Sequence, residues 1–509
     1  MVAKVIWSGG ERDGAAITER ALRGVNALAA LGVGEGDVVA VMLRNEIAFL
    51  EAVLIARQAG CYSCPINWHY KADEAGYILR DCGAKALIVH ADLLDQIEGG
   101  VPQGVHVIVV APPPELRAAF KLSDEHCRVP DGATEWESWL AGAAPYGGPA
   151  RQVRGSIPYS SGTTGRPKGV RRGVPPPEQM TRMIEITQTA LGIEQGMRTA
   201  LTAPLYHSAP AAYGSQSLLF GDLVVMHERF DPERLLADIE RHKLDRLYLV
   251  PTHFVRLLRL PDEMKQRYDL SSVKYVASTG SPCPPEVKKQ MIDWWGPVIN
   301  ESYASSEAGF ITLMSSQESR THPGSAGRPL AGADVRIMDD AGKLLPPYEP
   351  GLIYCRQEAY PDFTYINRPE DRKAIDREGL VAVGDVGYFD HEGYLYICDR
   401  KSDMVISGGV NIYPAEIEAV LITMAEVADC AVFGIPDAEF GEALAAHVQP
   451  HNGARIERET VRNFLKARIA DYKVPRVIEF SDALPREESG KIFKRRLRDP
   501  YWKDAGRRI

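Results

Sequence analysis

Hydrophobic positions in the first 110 residues switch between two periods. Across residues 17–31, Leu22, Val25, Leu28 and Ala29 share one helical face, and Gly32 and Gly34 end the segment. Residues 37–43 are a nearly unbroken apolar run, which predicts a buried strand. Phe49, Leu50, Val53 and Leu54 mark the next helix, residues 77–79 a short helical turn, and residues 86–89 another strand. This rhythm predicts a parallel sheet with helices on both faces.

The pattern weakens between about 111 and 155. Prolines 112–114 and Gly147–Gly148–Pro149 bracket a stretch that reads as an irregular surface connection. An amphipathic helix at 235–240 and strands at 247–250 and 273–277 follow. From 324 to 400 the spacing is strand–turn–strand, with turns at 340–342, 349–351 and 391–393. After Arg400, a helix at 414–422, a strand at 427–434, a helix at 457–469 and a strand at 477–480 predict a compact α+β unit. The expected fold class is α/β. Residues 1–400 form a large N-terminal domain of two βα-layered subdomains plus a small β-barrel-like unit, and residues 401–509 form a small mobile α+β C-terminal domain.

Composition removes several function classes. The chain has 509 residues, 45% apolar and 25% charged, with a formal charge of −9. That balance disfavours a nucleic-acid coat or a polybasic membrane surface, though a local basic site for a phosphorylated ligand is compatible. Apolar runs such as 107–111 are strand-sized, so no transmembrane segment is expected, and residues 1–10 lack a signal-peptide core. The eight cysteines are too sparse for a disulfide framework, and the lone CxxC, Cys61 and Cys64, reads as two small buried hydrophobes. A cytoplasmic, reduced protein is expected.

The chemistry concentrates in residues 159–170, Tyr-Ser-Ser-Gly-Thr-Thr-Gly-Arg-Pro-Lys-Gly-Val. Ser160, Ser161, Thr163 and Thr164 supply hydroxyl donors. Gly162 and Gly165 let backbone N–H groups approach an anion, and Lys168 adds a cation. This is a polyphosphate cradle. It is not a Walker A loop, because Gly165 is followed by Arg-Pro-Lys-Gly.

That loop resembles the signature of the ANL superfamily of adenylate-forming enzymes, which includes AMP-forming acyl- and aryl-CoA synthetases. The resemblance continues in residues 203–208, 278–282, 301–307, 384–387, 399–403, 407–414 and 485–491. It implies ATP, Mg²⁺ and coenzyme A as cofactor and co-substrates. A carboxylic acid attacks the α-phosphorus of ATP, and a thiol then displaces AMP. By resemblance, residues 160–168 hold the β- and γ-phosphates, while Gly280, Ser281, Pro282, Ser302, Tyr303 and Ser306 surround the nucleotide. Glu307 is the Mg²⁺ carboxylate, Asp385 and Arg400 contact the ribose, and Lys491 is the catalytic lysine. His207 gates the acyl pocket, with Tyr213, Val250, Thr252, His253 and Thr279 as candidate walls. Gly408 and Gly409 line a pantetheine tunnel after the small domain turns about Lys401–Ser402. The chain carries Ala304, Ser306 and Ser402 where the family more often has Gly, Thr and a charged residue.

The partners implied are an apolar carboxylic acid and coenzyme A, with a homodimer left open. Transfer to an amine or a carrier-protein thiol is the alternative, although only 18 residues follow Lys491. A degenerate adenylate-binding sensor is a third reading, opposed by the presence of Lys491, Glu307 and Asp385.

Overall fold

The computed structural model describes residues 2–160, 166–407, 410–437, 439–451, 454–486 and 492–503. Strand Val38–Met42 shows how sequence becomes core. Its side chains alternate, so Val39 and Val41 join one apolar cluster while Val38, Ala40 and Met42 join another. Both faces are therefore covered, as the unbroken apolar run requires. Helices Gly14–Ala30 and Ile47–Gln58 pack on the first face. Gly24 permits their close approach, since a Cβ there would lie 2.3 Å from Ile55 Cδ1.

This strand belongs to a five-stranded parallel sheet, ordered Tyr62–Pro65, Val38–Met42, Ala84–His90, His106–Val110 and Thr134–Glu135. A second, nine-stranded sheet has parallel pairings through Lys4–Trp7, Leu223–Met226, Arg198–Leu201, Arg246–Tyr248, Tyr275–Ser278 and Ile299–Ser305. It ends antiparallel in Gly309–Met314 and Arg328–Pro329. One continuous core joins the two sheets, with Val39, Val41 and Phe49 in the same cluster as Leu201, Tyr213 and Tyr248.

The stretch read as an irregular connection differs from expectation. It contains helices Pro114–Phe120 and Trp136–Ala141, and Trp136 and Leu140 are buried in the main core. Each helix is only two turns or less, so the periodicity was too brief to stand out. Glu135 caps the second by accepting from the backbone N–H groups of Glu137 and Ser138. Likewise, residues 77–79 lie inside helix Ala72–Cys82, whose polar first turn masks its start.

Residues 333–400 form a six-stranded antiparallel sheet including Ala333–Met338, Gly351–Gln357, Asp385–Phe389 and Leu395–Arg400. A three-stranded sheet, Phe363–Tyr365, Lys168–Arg172 and Tyr159–Ser160, ties the segments on either side of residues 161–165 to this part of the chain. The C-terminal region has its own five-stranded sheet and its own apolar cluster, built around Val405, Ile417, Val432 and Val461. All eight cysteines are free, seven of them buried, and Cys61 and Cys64 are both fully buried. Among the described residues no helix is long and apolar enough to cross a membrane.

Candidate active site

The strand ends converge on one large cleft of about 2480 Å³. The nine-stranded sheet contributes Tyr248, Val250, Thr279 and Ser306 to its wall, and the antiparallel sheet contributes Tyr388, Tyr396 and Arg400. Ligand sites at the carboxyl ends of parallel strands are the general rule for open α/β sheets.

Asp385 begins strand Asp385–Phe389, directly after Gly384, whose φ of +95° suits glycine. Arg400 ends the neighbouring strand, and register pairs the two residues. Arg400 Nε lies 3.4 Å from Asp385 Oδ1. The Tyr303 hydroxyl donates to Asp385 Oδ2 at 2.6 Å. Tyr303 comes from the other sheet, next to a register shift at Tyr303/Ala304. Burial foremost, then Cys355 and Asp385, raises the Tyr303 phenol well above its ordinary value, so it remains a donor. Asp385 is itself buried.

Glu307 sits just past strand Ile299–Ser305 and is buried. Its Oε1 accepts from the Tyr365 hydroxyl at 2.9 Å. The Arg172 guanidinium donates to the Ser306 and Glu307 carbonyls at 2.8 and 2.7 Å, which fixes the backbone of this turn. Burial lowers Arg172 to about 10, still charged at neutral pH. Lys168 Nζ pairs with Asp371 at 2.8 Å and lies 5.1 Å from the centre of the Tyr365 ring.

His207 is half-buried on the cleft wall immediately before helix Ser208–Phe220, its ring 4.3 Å from that of Tyr206. Gly280, Ser281 and Pro282 also line the cleft, and Gly280 has φ +98°. Ser302 is buried, and its carbonyl accepts from the Thr279 hydroxyl at 2.7 Å. Val250, Thr252 and Thr279 face the cleft as expected.

Two expected wall residues belong instead to the interior. Tyr213 is 1% exposed and shares a 2.8 Å hydrogen bond with the Thr199 hydroxyl. His253 is 2% exposed and stacks on Phe230 at 3.9 Å. Both sit on helices whose apolar faces point into the core, which residue type alone does not reveal. Lys494, in the run of basic residues after position 491, is half-buried. Its ammonium meets Glu418 at 2.8 Å, and Glu418 and Asp399 together raise its pKa despite the opposing effect of burial.

Ser161, Gly162, Thr163, Thr164, Gly165, Gly408, Gly409 and Lys491 lie outside the described residues, as does the Ser160 side chain. Arg172, Tyr248, Tyr365 and Asp371 were not singled out by motif. The alternation Phe363-Thr364-Tyr365 was the available signal for Tyr365, because both aromatics had to face one side of a strand.

The fold and this constellation define an adenylating enzyme of two unequal parts. The chain belongs to the AMP-binding enzyme family, matching it over residues 5–360 and the AMP-binding enzyme C-terminal domain over 416–491. It is 32% identical to a feruloyl-CoA synthase of Amycolatopsis sp. over 497 residues, covering 95% of this chain and 93% of that protein. Among solved structures it is similar to o-succinylbenzoate CoA synthetase from Bacillus subtilis in complex with its acyl-adenylate intermediate. That match has 26% identity, TM-score 0.78, and covers 97% of this chain and 95% of the other. It is also similar to the amide bond synthetase McbA from Marinactinospora thermotolerans, at 27% identity and TM-score 0.81, covering 98% and 97%.

Proposed function

We propose that this enzyme uses ATP to convert an apolar carboxylic acid to its acyl-adenylate, then transfers the acyl group to coenzyme A, releasing AMP and pyrophosphate. The observation that carries this reading is the meeting of Tyr303 and Asp385 with Arg400, which lines the cleft together with Ser306 and His207.

A carboxylate is a poor acyl donor because oxide is a poor leaving group, whereas AMP leaves readily. The task of the protein is to place charge around phosphate oxygens. Asp385 retains acceptor capacity for a ribose cis-diol, since a carboxylate has about four lone-pair sites and the contacts described occupy one site on each oxygen. Residues 160–168 hold the β- and γ-phosphates, and Lys168 exchanges Asp371 for phosphate oxygen. Lys491 neutralises the α-phosphate during adenylation. The small domain, residues 401–509, then turns about Lys401–Ser402, and Gly408 and Gly409 line the path of the thiol.

Mg²⁺ fits the residues present. Glu307 is a buried hard-oxygen donor, and Mg²⁺ takes one or two carboxylates together with substrate phosphates. Among the described residues no group of three or more His, Cys, Asp or Glu could hold a metal ion without substrate. When bound, Mg²⁺ supplies neutralisation of the phosphate charge.

The acyl wall contributed by segments 203–210, 248–255 and 279–285 carries no Asp, Glu, Lys or Arg among its cleft-lining residues. An uncharged acyl group suits it, and the likeness to a feruloyl-CoA synthase places aryl acids first in a substrate panel. Free thiols throughout support a reducing, cytoplasmic location.

The test is pyrophosphate release over a panel of aryl and aliphatic acids, with and without coenzyme A. Thioester and AMP in equal amounts are expected. Acyl-AMP that accumulates and never yields a thioester overturns the acceptor assignment. The likeness to an amide bond synthetase favours an amine as the second reading, checked by replacing coenzyme A with amines in the same assay.

A further inference from the structure

Tyr365 is buried at the end of strand Phe363–Tyr365, paired in register with Val170 of the strand that carries Lys168. Its hydroxyl donates to Glu307 Oε1 at 2.9 Å. Its ring lies 5.1 Å from the Lys168 ammonium, within cation–π range. One side chain therefore touches both the anion assigned to the metal and a cation assigned to the phosphates. Lys168 lies in the three-stranded sheet and Glu307 in the turn after strand Ile299–Ser305, and among the described residues no backbone pairing joins these two strands directly.

We propose that Tyr365 is a positioning residue that presents the Glu307 carboxylate to the metal of the Mg²⁺–ATP substrate and sets its spacing from Lys168. The inference rests on the assignment of Glu307 given above. A carboxylate can rotate about its terminal torsion, and a strong donor on Oε1 favours one orientation. A phenol hydroxyl facing a carboxylate oxygen is the donor, so Tyr365 gives its proton to this hydrogen bond. Arg172 fixes the Glu307 backbone, and Tyr365 fixes the end of its side chain. Groups that orient a metal-binding carboxylate typically change metal affinity by about 10- to 100-fold when removed.

Tyr365→Phe isolates the hydroxyl, because the ring over which Lys168 sits is retained. Three measurements are required: Mg²⁺ half-saturation of ATP–pyrophosphate exchange, Mn²⁺ binding by electron paramagnetic resonance with a non-hydrolysable ATP analogue, and thioester formation from supplied acyl-AMP. The expected result is a rise of about 10-fold or more in Mg²⁺ half-saturation and Mn²⁺ dissociation constant, with thioester formation within twofold of wild type. That last rate also reports that the variant is folded. Tyr365→Leu removes the ring as well and should additionally raise the KM for ATP. Unchanged or tighter metal dependence in Tyr365→Phe overturns the proposal. Glu307→Gln separates this from failure of the underlying assignment: if it leaves the Mg²⁺ dependence unaltered, Glu307 itself was wrongly assigned.

Discussion

Tyr303 and Asp385 lie 82 residues apart and meet at 2.6 Å, joining the nine-stranded sheet to the antiparallel sheet. The phenol donates and the carboxylate accepts, so the contact fixes the direction in which Asp385 points. A net hydrogen bond to a charged group is worth about 1.5–3 kcal/mol. Tyr303→Phe should therefore lower kcat/KM for adenylation roughly 10- to 100-fold. Asp385→Ala should cost more and raise the KM for ATP. Pyrophosphate exchange as a function of ATP concentration checks both.

Lys491 is assigned to the first half-reaction only. Lys491→Ala should abolish detectable adenylation yet leave thioester formation from synthetic acyl-AMP within about threefold of wild type, since the second step needs no charge from this side chain. Equal loss of both half-reactions would contradict the alternation of the small domain.

Tyr248 lines the cleft beside Val250 and Thr279, the wall proposed for the acyl group. It is 3% exposed, its ring lies 5.5 Å from that of Tyr213, and its hydroxyl donates to the Thr279 carbonyl at 3.3 Å. Tyr248→Ala should open space for longer acids. Each added methylene that finds apolar surface gains about 0.8 kcal/mol. The ratio of kcat/KM for a long acid over a short one should rise by about 10-fold or more for two or three such groups. An unchanged chain-length profile would place the acyl group elsewhere.

His253 makes stability depend on acid pH. Burial foremost, reinforced by Arg256 and His227, lowers its pKa to about 3. The unfolded chain returns it to about 6.5. Between those values the unfolded state binds the extra proton, so stability falls as pH falls through this window. The slope from this residue is at most about 1.4 kcal/mol per pH unit. His253→Phe should flatten the dependence between pH 6.5 and 5 while preserving the stack on Phe230. Urea midpoints of both proteins across that range provide the check.

Much of the fold was legible because burial imposes period. Val38–Met42 is apolar at every position, so only a strand covered on both faces accommodates it, and the structure covers both. Strand Val477–Phe480 falls where the pattern placed it. Residues 111–155 were misread because helices Pro114–Phe120 and Trp136–Ala141 are too short for their spacing to exceed chance, and their core partners are remote in sequence.

By itself the sequence determined the chemistry. The loop of Ser, Thr, Gly and Lys marked a candidate phosphate cradle, and Glu307, Asp385 and Arg400 were each candidates from local motif. Only the tertiary structure decided which residues serve them. Tyr303 reaches Asp385, Tyr365 reaches Glu307, and Arg172 holds the turn between them, all across sheet boundaries. It also moved Tyr213 and His253 from the cleft into the core. Local motifs encode functional groups, whereas hydrogen-bond partners depend on which strand ends are brought together, and that is settled by packing over the whole chain.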